Sequence, residues 1–326
     1  MALLEVEDLC VEFHGRDAVV RAVDGVSFEL QQGEILGLVG ESGCGKSVSS
    51  LAILGLLEKP AGRIARGQIR FAGKDLTRAS QAELRQVRGN RLSMIFQDPL
   101  TSLNPYLRIE EQLVEVMELH QGLTRRAARD RAVELLARVG IPDPAQRVRA
   151  FPHELSGGMR QRVCIAMSLL CNPEMLIADE PTTMLDVTIQ AQILELLREL
   201  RRERKMSILF ITHDLGVVAE LCDRVIVMYA GRIVEAAPAA ELFRRPLHPY
   251  TEALLKSTPR IDQPNGGVLH PIAGLPPRLD AGKFEECTFA PRCPRVRPAC
   301  HDGEPELFPA EGGRLRRCIV PVEEMP

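Results

Sequence analysis

The sequence predicts an α/β protein built on a mainly parallel β-sheet, and three observations predict it. A short apolar run, Ile35 to Val39, leads directly into Gly40-Glu41-Ser42-Gly43-Cys44-Gly45-Lys46-Ser47, and the apolar, Pro-free stretch from Val48 to Leu57 follows. Strand, G-x-x-x-x-G-K-S and helix in that order form a phosphate-binding loop in its required context. Two further apolar runs of strand length, Met175 to Ala178 and Ser207 to Ile211, flank a long amphipathic stretch from Thr188 to Glu203. Continuous apolar strands alternating with helices indicate a parallel sheet covered on both faces. Finally, 326 residues at 45% apolar and 26% charged are enough for a well-buried core and for more than one domain.

In chain order, Leu9, Val11 and Phe13 alternate with polar positions, as do Val26, Phe28 and Leu30. Both stretches read as half-buried antiparallel strands, the second closed by the turn Gln31-Gln32-Gly33, and Ile69 with Phe71 continues the pattern. Leu92 to Phe96 is another strand, ending at Gln97. From about Asp98 to Glu154 the periodicity becomes helical, with helices over 109–120 and 126–139 broken by Gly122 and by Gly140-Ile141-Pro142-Asp143-Pro144. This reads as a helical insertion, about 98–155. Ser156 N-caps a helix running to about Cys171. Val225 to Met228 and Ile233-Val234, joined at Gly231, form a terminal hairpin. Residues 259–326 are rich in Pro, Gly and Arg, carry Cys287, Cys293, Cys300 and Cys318, and need a staple to fold. The division is therefore a cassette over 1–240 and a small, irregular, Cys-rich extension over 241–326.

The composition bounds the function. A net charge of −3 implies no nucleic-acid partner. The first residues carry no basic signal region, and no run of about 18 apolar residues spans a bilayer. A cytoplasmic site follows, in which the nine cysteines are reduced or metal-bound.

Chemistry concentrates at three places. The loop's backbone N–H groups and the helix start suit phosphate oxygens, with Lys46 reaching the β- and γ-phosphates and Ser47 placing its hydroxyl on Mg²⁺. Asp179-Glu180 ends a buried strand, and assigns itself as a Mg²⁺ carboxylate (Asp179) and a general base for water (Glu180). Ser156-Gly157-Gly158 at a helix start is either a plain N-cap or a second anion site. Cys44 lies inside the loop, so its alkylation is expected to block nucleotide binding. Cys10, Cys164, Cys171 and Cys222 read as core.

These motifs together resemble the nucleotide-binding subunits of ATP-binding-cassette (ABC) transporters over about residues 1–240. Gly40 to Ser47 matches Walker A, Met175 to Asp179 Walker B, Leu155 to Met159 the signature motif, Gln97 the Q-loop, Leu185-Asp186 the D-loop and His213 the H-loop. The resemblance implies that two cassettes close head to tail on two ATP molecules. Ser156 and Gly158 would then touch the γ-phosphate held by the opposite Walker A, with Gly157 in the same nucleotide-contacting set. It further implies that His213 contacts the γ-phosphate, that Gln97 senses Mg²⁺, water and the membrane partner, and that an N-terminal aromatic, here Phe13, stacks on adenine. Val48 and Asp186 complete the nucleotide-contacting set. Met184, where the family has Ala, would face the other cassette.

Longer stretches are similar to the peptide and nickel importers of that family: Phe96-Gln97-Asp98-Pro99-Leu100-Thr101-Ser102-Leu103-Asn104-Pro105, Phe151 to Met159, His248-Pro249-Tyr250-Thr251-Glu252-Ala253-Leu254-Leu255 and Ile272-Ala273-Gly274-Leu275-Pro276-Pro277. The resemblance implies an ATPase at the cytoplasmic face of the inner membrane. Its partners would be two transmembrane permease subunits, an identical or homologous second cassette and, indirectly, an external solute-binding protein. The solute is a di- or oligopeptide, with nickel or another solute as the alternative. A soluble ABC protein and an iron–sulfur regulatory ATPase are the readings from other classes. The spacing C-x5-C-x6-C-x17-C lacks the tight pair of a zinc site, and zinc, free thiols and an iron–sulfur cluster all remain open on the residues alone. The resemblance supports [4Fe–4S].

Overall fold

The computed structural model describes residues 2–16, 18–98, 102–257, 271–277, 279 and 284–325. The Pro99-Leu100-Thr101 stretch and residues 258–270 of the extension lie outside them. In chain order the strands are β1 (Ala2–His14), β2 (Val19–Gln31), β3 (Ile35–Val39), β4 (Gly62–Phe71), β5 (Lys74–Asp75), β6 (Leu92–Ile95), β7 (Met175–Asp179), β8 (Ser207–Ile211), β9 (Arg224–Tyr229), β10 (Arg232–Pro238), β11 (Phe308–Ala310) and β12 (Arg314–Arg316). The longer helices are α1 (Lys46–Ile53), α2 (Gln81–Val87), α3 (Ile109–Gln121), α4 (Arg125–Arg138), α5 (Gly157–Leu169), α6 (Val187–Arg204), α7 (Leu215–Leu221), α8 (Ala239–Arg244) and α9 (Pro249–Ser257).

These elements form two compact units. The first, here the helical unit, holds Gln31–Glu34 and Arg78–Ile211. The second, the loop unit, holds Ala2–Leu30, Ile35–Thr77 and Thr212–Pro326. The phosphate-loop residues and the Cys-bearing extension thus share one unit.

In the helical unit, β6, β7 and β8 pair in parallel, with Ile177 opposite Met94 on one side and Leu209 on the other. Every residue of β7 and β8 is buried. Each fully buried Leu or Ile there contributes about 1.5–3 kcal/mol, which is why these strands read as unbroken apolar runs. Helix α6 buries Ile193, Leu194, Leu196, Leu197 and Leu200, one stripe at helical spacing. Helices α3 and α4 form the helical insertion. The Glu111 carboxylate accepts from the Arg108 N–H at 2.8 Å at the start of α3, and Gly122 (φ +64°) ends it. The Thr124 hydroxyl caps α4.

In the loop unit, β1 pairs antiparallel with β4, with Val6 opposite Ile69 and Leu4 opposite Phe71. A sheet of order β2-β1-β4-β5 results. The alternation expected in β1 is interrupted: Cys10 and Glu12 are buried as well as Leu9 and Val11. Register shifts between Glu7 and Val11 turn successive side chains inward there. Strand β3 pairs in parallel with β9. A Cβ added at Gly37 would lie 3.1 Å from both Cys222 Sγ and Val218 Cγ1, so the bare backbone of β3 lets α7 pack close. Helix α1 is shorter than the predicted stretch to Leu57, because the chain turns at Gly55 (φ +63°).

Two expectations are corrected here. Strands β9 and β10 do form an antiparallel hairpin, but it is not terminal: β12 pairs with β10 through Glu235–Arg316 and Ala236–Leu315, and β11 adds beyond β12. The pairs β3–β9, β6–β7 and β7–β8 are parallel as expected, and β10, β12 and β11 add antiparallel strands. A reversal through Ala230-Gly231, both with positive φ, leaves no room for the crossover that parallel pairing needs. Part of the extension is therefore sheet, not irregular chain.

Candidate functional site

The loop between β3 and α1 is set by its own packing. At Gly40 (φ +150°) a Cβ would fall 2.2 Å from Met228 O, and at Gly45 (φ +105°) 2.5 Å from Ala22 O. Neither position tolerates a side chain. Gly45 also precedes α1 with no side-chain cap, and no acid stands in the first turn, so the helix's first N–H groups are left to an anion. Lys46 is buried, and its Nζ donates to Gly40 O at 2.7 Å and Glu41 O at 2.9 Å. Its ammonium is thereby held on the inner side of the turn.

Cys44 Sγ lies 3.6 Å from that ammonium. Burial pushes the Cys44 thiol up from its ordinary value despite Lys46. Ser47 and Val48 are half-buried on α1. His213, at the start of the segment leading to α7, joins Val39, Gly40, Glu41 and Ser42 around a cavity of about 320 Å³. The structure thus brings the expected H-loop histidine to the phosphate loop. Phe13 lies on β1 opposite Gly62, with its ring against that glycine: a Cβ there would be 2.9 Å from Phe13 Cε1.

In the helical unit, Asp179 ends β7, 2% exposed. Glu180 follows in the left-handed region (φ +49°), with its N–H donated to Ile211 O at 2.8 Å. That turn carries the Glu180 carboxylate out of the strand's buried row. Thr183 Oγ1 donates to Glu180 Oε2 at 3.2 Å. Gln161, a residue to which sequence reasoning gave no role, secures the segment. It is 1% exposed, its Nε2 donates to the Glu180 and Pro181 carbonyls, and its Oε1 accepts from the Met184 N–H at 3.1 Å. The signal that could have found it is one amide on the face of α5 that also buries Cys164, Ile165 and Ser168.

Helix α5 begins as expected, with Ser156 Oγ accepting from the Met159 N–H at 3.3 Å. Its two glycines differ from those of the loop. A Cβ at Gly157 would meet nothing within 4 Å, and one at Gly158 only ordinary contacts, Met184 O at 3.5 Å and Leu185 Cδ2 at 3.6 Å. Asp186 caps α6, accepting from the Ile189 N–H at 3.0 Å. Met184 and Val187 beside it are exposed. Gln97 is exposed just after β6.

Comparison with known proteins places this geometry. The family described as ABC transporter matches residues 23–183, and the oligopeptide/dipeptide transporter C-terminal region matches residues 234–300. The oligopeptide transport ATP-binding protein AppD of Bacillus subtilis (strain 168) is 51% identical over 324 residues, 99% of this chain and 98% of its own. The dipeptide transport ATP-binding protein DppD of Escherichia coli (strain K12) is 49% identical over 327 residues, again 99% and 98%. The chain is an ATP-binding subunit of the oligopeptide/dipeptide ABC transporter family. The fold agrees: the dimeric ATP-binding cassette MJ0796, solved in a post-hydrolysis state with ADP and Pi, superposes with a TM-score of 0.66 at 26% identity, over 72% of this chain and 98% of that one.

In this ABC subunit the four extension cysteines line one cavity, together with Pro249, Phe289 and Val320. The Cys287 N–H donates to Cys300 O at 2.8 Å. Burial pushes the Cys287 thiol up to about 12 and raises those of Cys293 and Cys318. Among the described residues no three His, Cys, Asp or Glu side chains are grouped to hold a metal ion. The expectations of an iron–sulfur cluster and of zinc both find no grouped metal site among the described residues. The donor set of four soft thiols on one pocket matches an iron–sulfur cluster in kind only.

Proposed function

We propose that this ABC subunit hydrolyses ATP to drive import of di- and oligopeptides across the cytoplasmic membrane. It would sit at the inner face of that membrane, against two separate permease subunits, with a second cassette as partner and an external solute-binding protein delivering the peptide. Among the described residues no helix is long and apolar enough to cross a membrane, so the translocation path belongs to the permeases. The peptide assignment is supported by the relatives, two of which are named for oligopeptide and dipeptide transport.

The observation that carries the mechanism is the contrast between the two glycine-bearing helix starts. The loop at Gly40 to Ser47 encloses its own lysine, and is the grip for the ATP bound by this chain. Lys46 moves from the loop carbonyls to the β- and γ-phosphates, and the α1 amides take the remaining oxygens. Ser47 and Asp179, both hard oxygen donors, would hold Mg²⁺, which neutralises charge on the phosphates. Glu180 accepts the proton of the attacking water, His213 contacts the γ-phosphate, and Gln97 relays the state of the site to the permease. Phe13 supplies a ring for adenine. At α5, Ser156, Gly157 and Gly158 leave a bare helix start that serves the ATP of the partner cassette, while Met184 and Asp186 face that partner.

For the extension we propose that Cys287, Cys293, Cys300 and Cys318 bind a [4Fe–4S] cluster with a structural role. The gathering of all four thiols on one largely apolar pocket supports it. Protein purified without oxygen is then brown with about four irons per chain; a colourless or zinc-loaded protein overturns this part.

The transport reading is tested by reconstituting the subunit with its permeases, partner cassette and binding protein in liposomes. ATP-dependent accumulation of a labelled dipeptide, abolished by Glu180→Gln, is expected. Accumulation of nickel but not peptide would establish the alternative solute. ATP hydrolysis unaffected by either would contradict an importer.

A further inference from the structure

The side chain and backbone N–H of Glu41, the second residue of the phosphate loop, are held from the C-terminal side of the chain. Arg292 Nη1 donates to Glu41 Oε2 at 2.6 Å and Nη2 to Oε1 at 2.9 Å, a bidentate fork. The Arg292 side chain is 3% exposed and that of Glu41 26%. The rest of the guanidinium is also committed. Nε donates to Ala273 O at 2.9 Å, Nη2 to Ile272 O at 3.4 Å and Nη1 to the Tyr229 hydroxyl at 3.3 Å.

A second contact comes from another segment. The Glu41 N–H donates to the Tyr250 hydroxyl at 2.8 Å. Tyr250 is fully buried in an aromatic cluster, its ring centroid 4.6 Å from that of Tyr229 and 5.4 Å from that of Phe289. Two extension motifs that the cassette chemistry leaves unused thus converge on this contact: His248 to Leu255 supplies Tyr250 to Glu41, and Ile272 to Pro277 holds Arg292 through the Ile272 and Ala273 carbonyls. Phe289 and Cys293, on either side of Arg292 in sequence, also line the cysteine cavity.

We infer that Arg292 and Tyr250 are positioning residues for ATP binding, supplied to the phosphate loop by the C-terminal segment. They fix the backbone of Glu41, whose carbonyl, with that of Gly40, holds Lys46. Loosening Glu41 lets the loop sample conformations in which the lysine and the inward amides are no longer aligned, and the cost falls on binding before it falls on chemistry. The cassette thus depends on its extension for ATP affinity. The inference rests on the reading of Gly40 to Ser47 as the ATP grip.

The test is titration of the purified full-length chain with a fluorescent ATP analogue (MANT-ATP) and Mg²⁺, alongside steady-state ATPase kinetics. Failure of the unmodified chain to bind would count against the ATP grip itself. Given binding, Arg292→Met raises Kd about tenfold, and Arg292→Lys, which keeps charge but loses the fork, raises it less. Tyr250→Phe keeps the ring packing, removes only the hydroxyl and raises Kd about threefold. KM for ATP rises with Kd while kcat falls by a smaller factor. Combining Arg292→Met with Glu41→Gln adds little beyond the worse single change. Unchanged Kd in Tyr250→Phe and Arg292→Lys, fully additive effects in the double variant, or equal losses in kcat with KM constant would overturn the inference. Tyr250→Phe decides the matter if Arg292→Met does not fold.

Discussion

The helix starts at Gly45 and at Gly157-Gly158 are chemically alike and structurally opposite. At Gly45 the chain's own backbone forbids a side chain: positive φ combines with a 2.5 Å approach to Ala22 O. At Gly157 and Gly158 nothing in the chain does. The first helix start has a buried lysine folded into it; the second has an ordinary serine cap. The difference teaches that a glycine can be required by the fold or by something outside the fold. In the proposed function the loop is the grip for one ligand, and the α5 start is half of a contact whose other half belongs to a partner.

The comparison breaks most sharply under one methyl group. Gly45→Ala is expected to lower MANT-ATP affinity and ATPase activity by at least about 100-fold, the cost of about 3 kcal/mol of backbone strain. Gly158→Ala should do the reverse to the chain alone. Removing a glycine from a helix stabilises it by about 0.4–1 kcal/mol, so the urea midpoint rises slightly and single-chain ATP binding is unchanged. ATPase activity of the paired cassettes nevertheless falls about tenfold, because the methyl occupies space meant for the neighbour's phosphate. Normal ATPase activity in Gly158→Ala would show that the bare start of α5 serves no partner.

A smaller effect separates the loop unit's folding from its chemistry. His248 is buried, and loss of hydration depresses its imidazole to about 3, while its Nδ1 accepts from the Tyr250 N–H at 3.0 Å. Below an ordinary value near 6.5 the unfolded chain takes up a proton that the native chain refuses. The stabilisation is therefore complete above about pH 6.5 and is lost as pH falls toward 3, by up to about 1.4 kcal/mol per pH unit from this group. His248→Asn, which keeps an acceptor for Tyr250, should lose less stability between pH 7 and 5 than the unmodified chain in urea titrations. Equal losses would show that His248 is not the responsible group.

Much of this was legible in the sequence, because it rests on local pattern. Runs as apolar as Met175 to Ala178 and Ser207 to Ile211 have no soluble alternative to a buried strand, and they are β7 and β8. Ser156 announces a helix start by residue type and performs as a cap. What was not legible is long-range. Arg292 reaches Glu41 across 251 positions and Tyr250 reaches it across 209; no window of sequence contains both partners. Strands of three residues, such as β11 and β12, are too short to show a period of two. Gln161 was hidden differently: a lone buried amide reads as a helix residue until its partners, the carbonyls after Glu180, are seen.

The loop and the α5 start of this ABC subunit are proposed to act together on the nucleotides of two cassettes. The most direct test is the mass, by light scattering, of the Glu180→Gln chain mixed with its partner cassette. With ATP and Mg²⁺ the two cassettes should form one stable complex, because bound ATP is not consumed, and with ADP they should separate. An unchanged mass with ATP, with ADP and without nucleotide would contradict the claim.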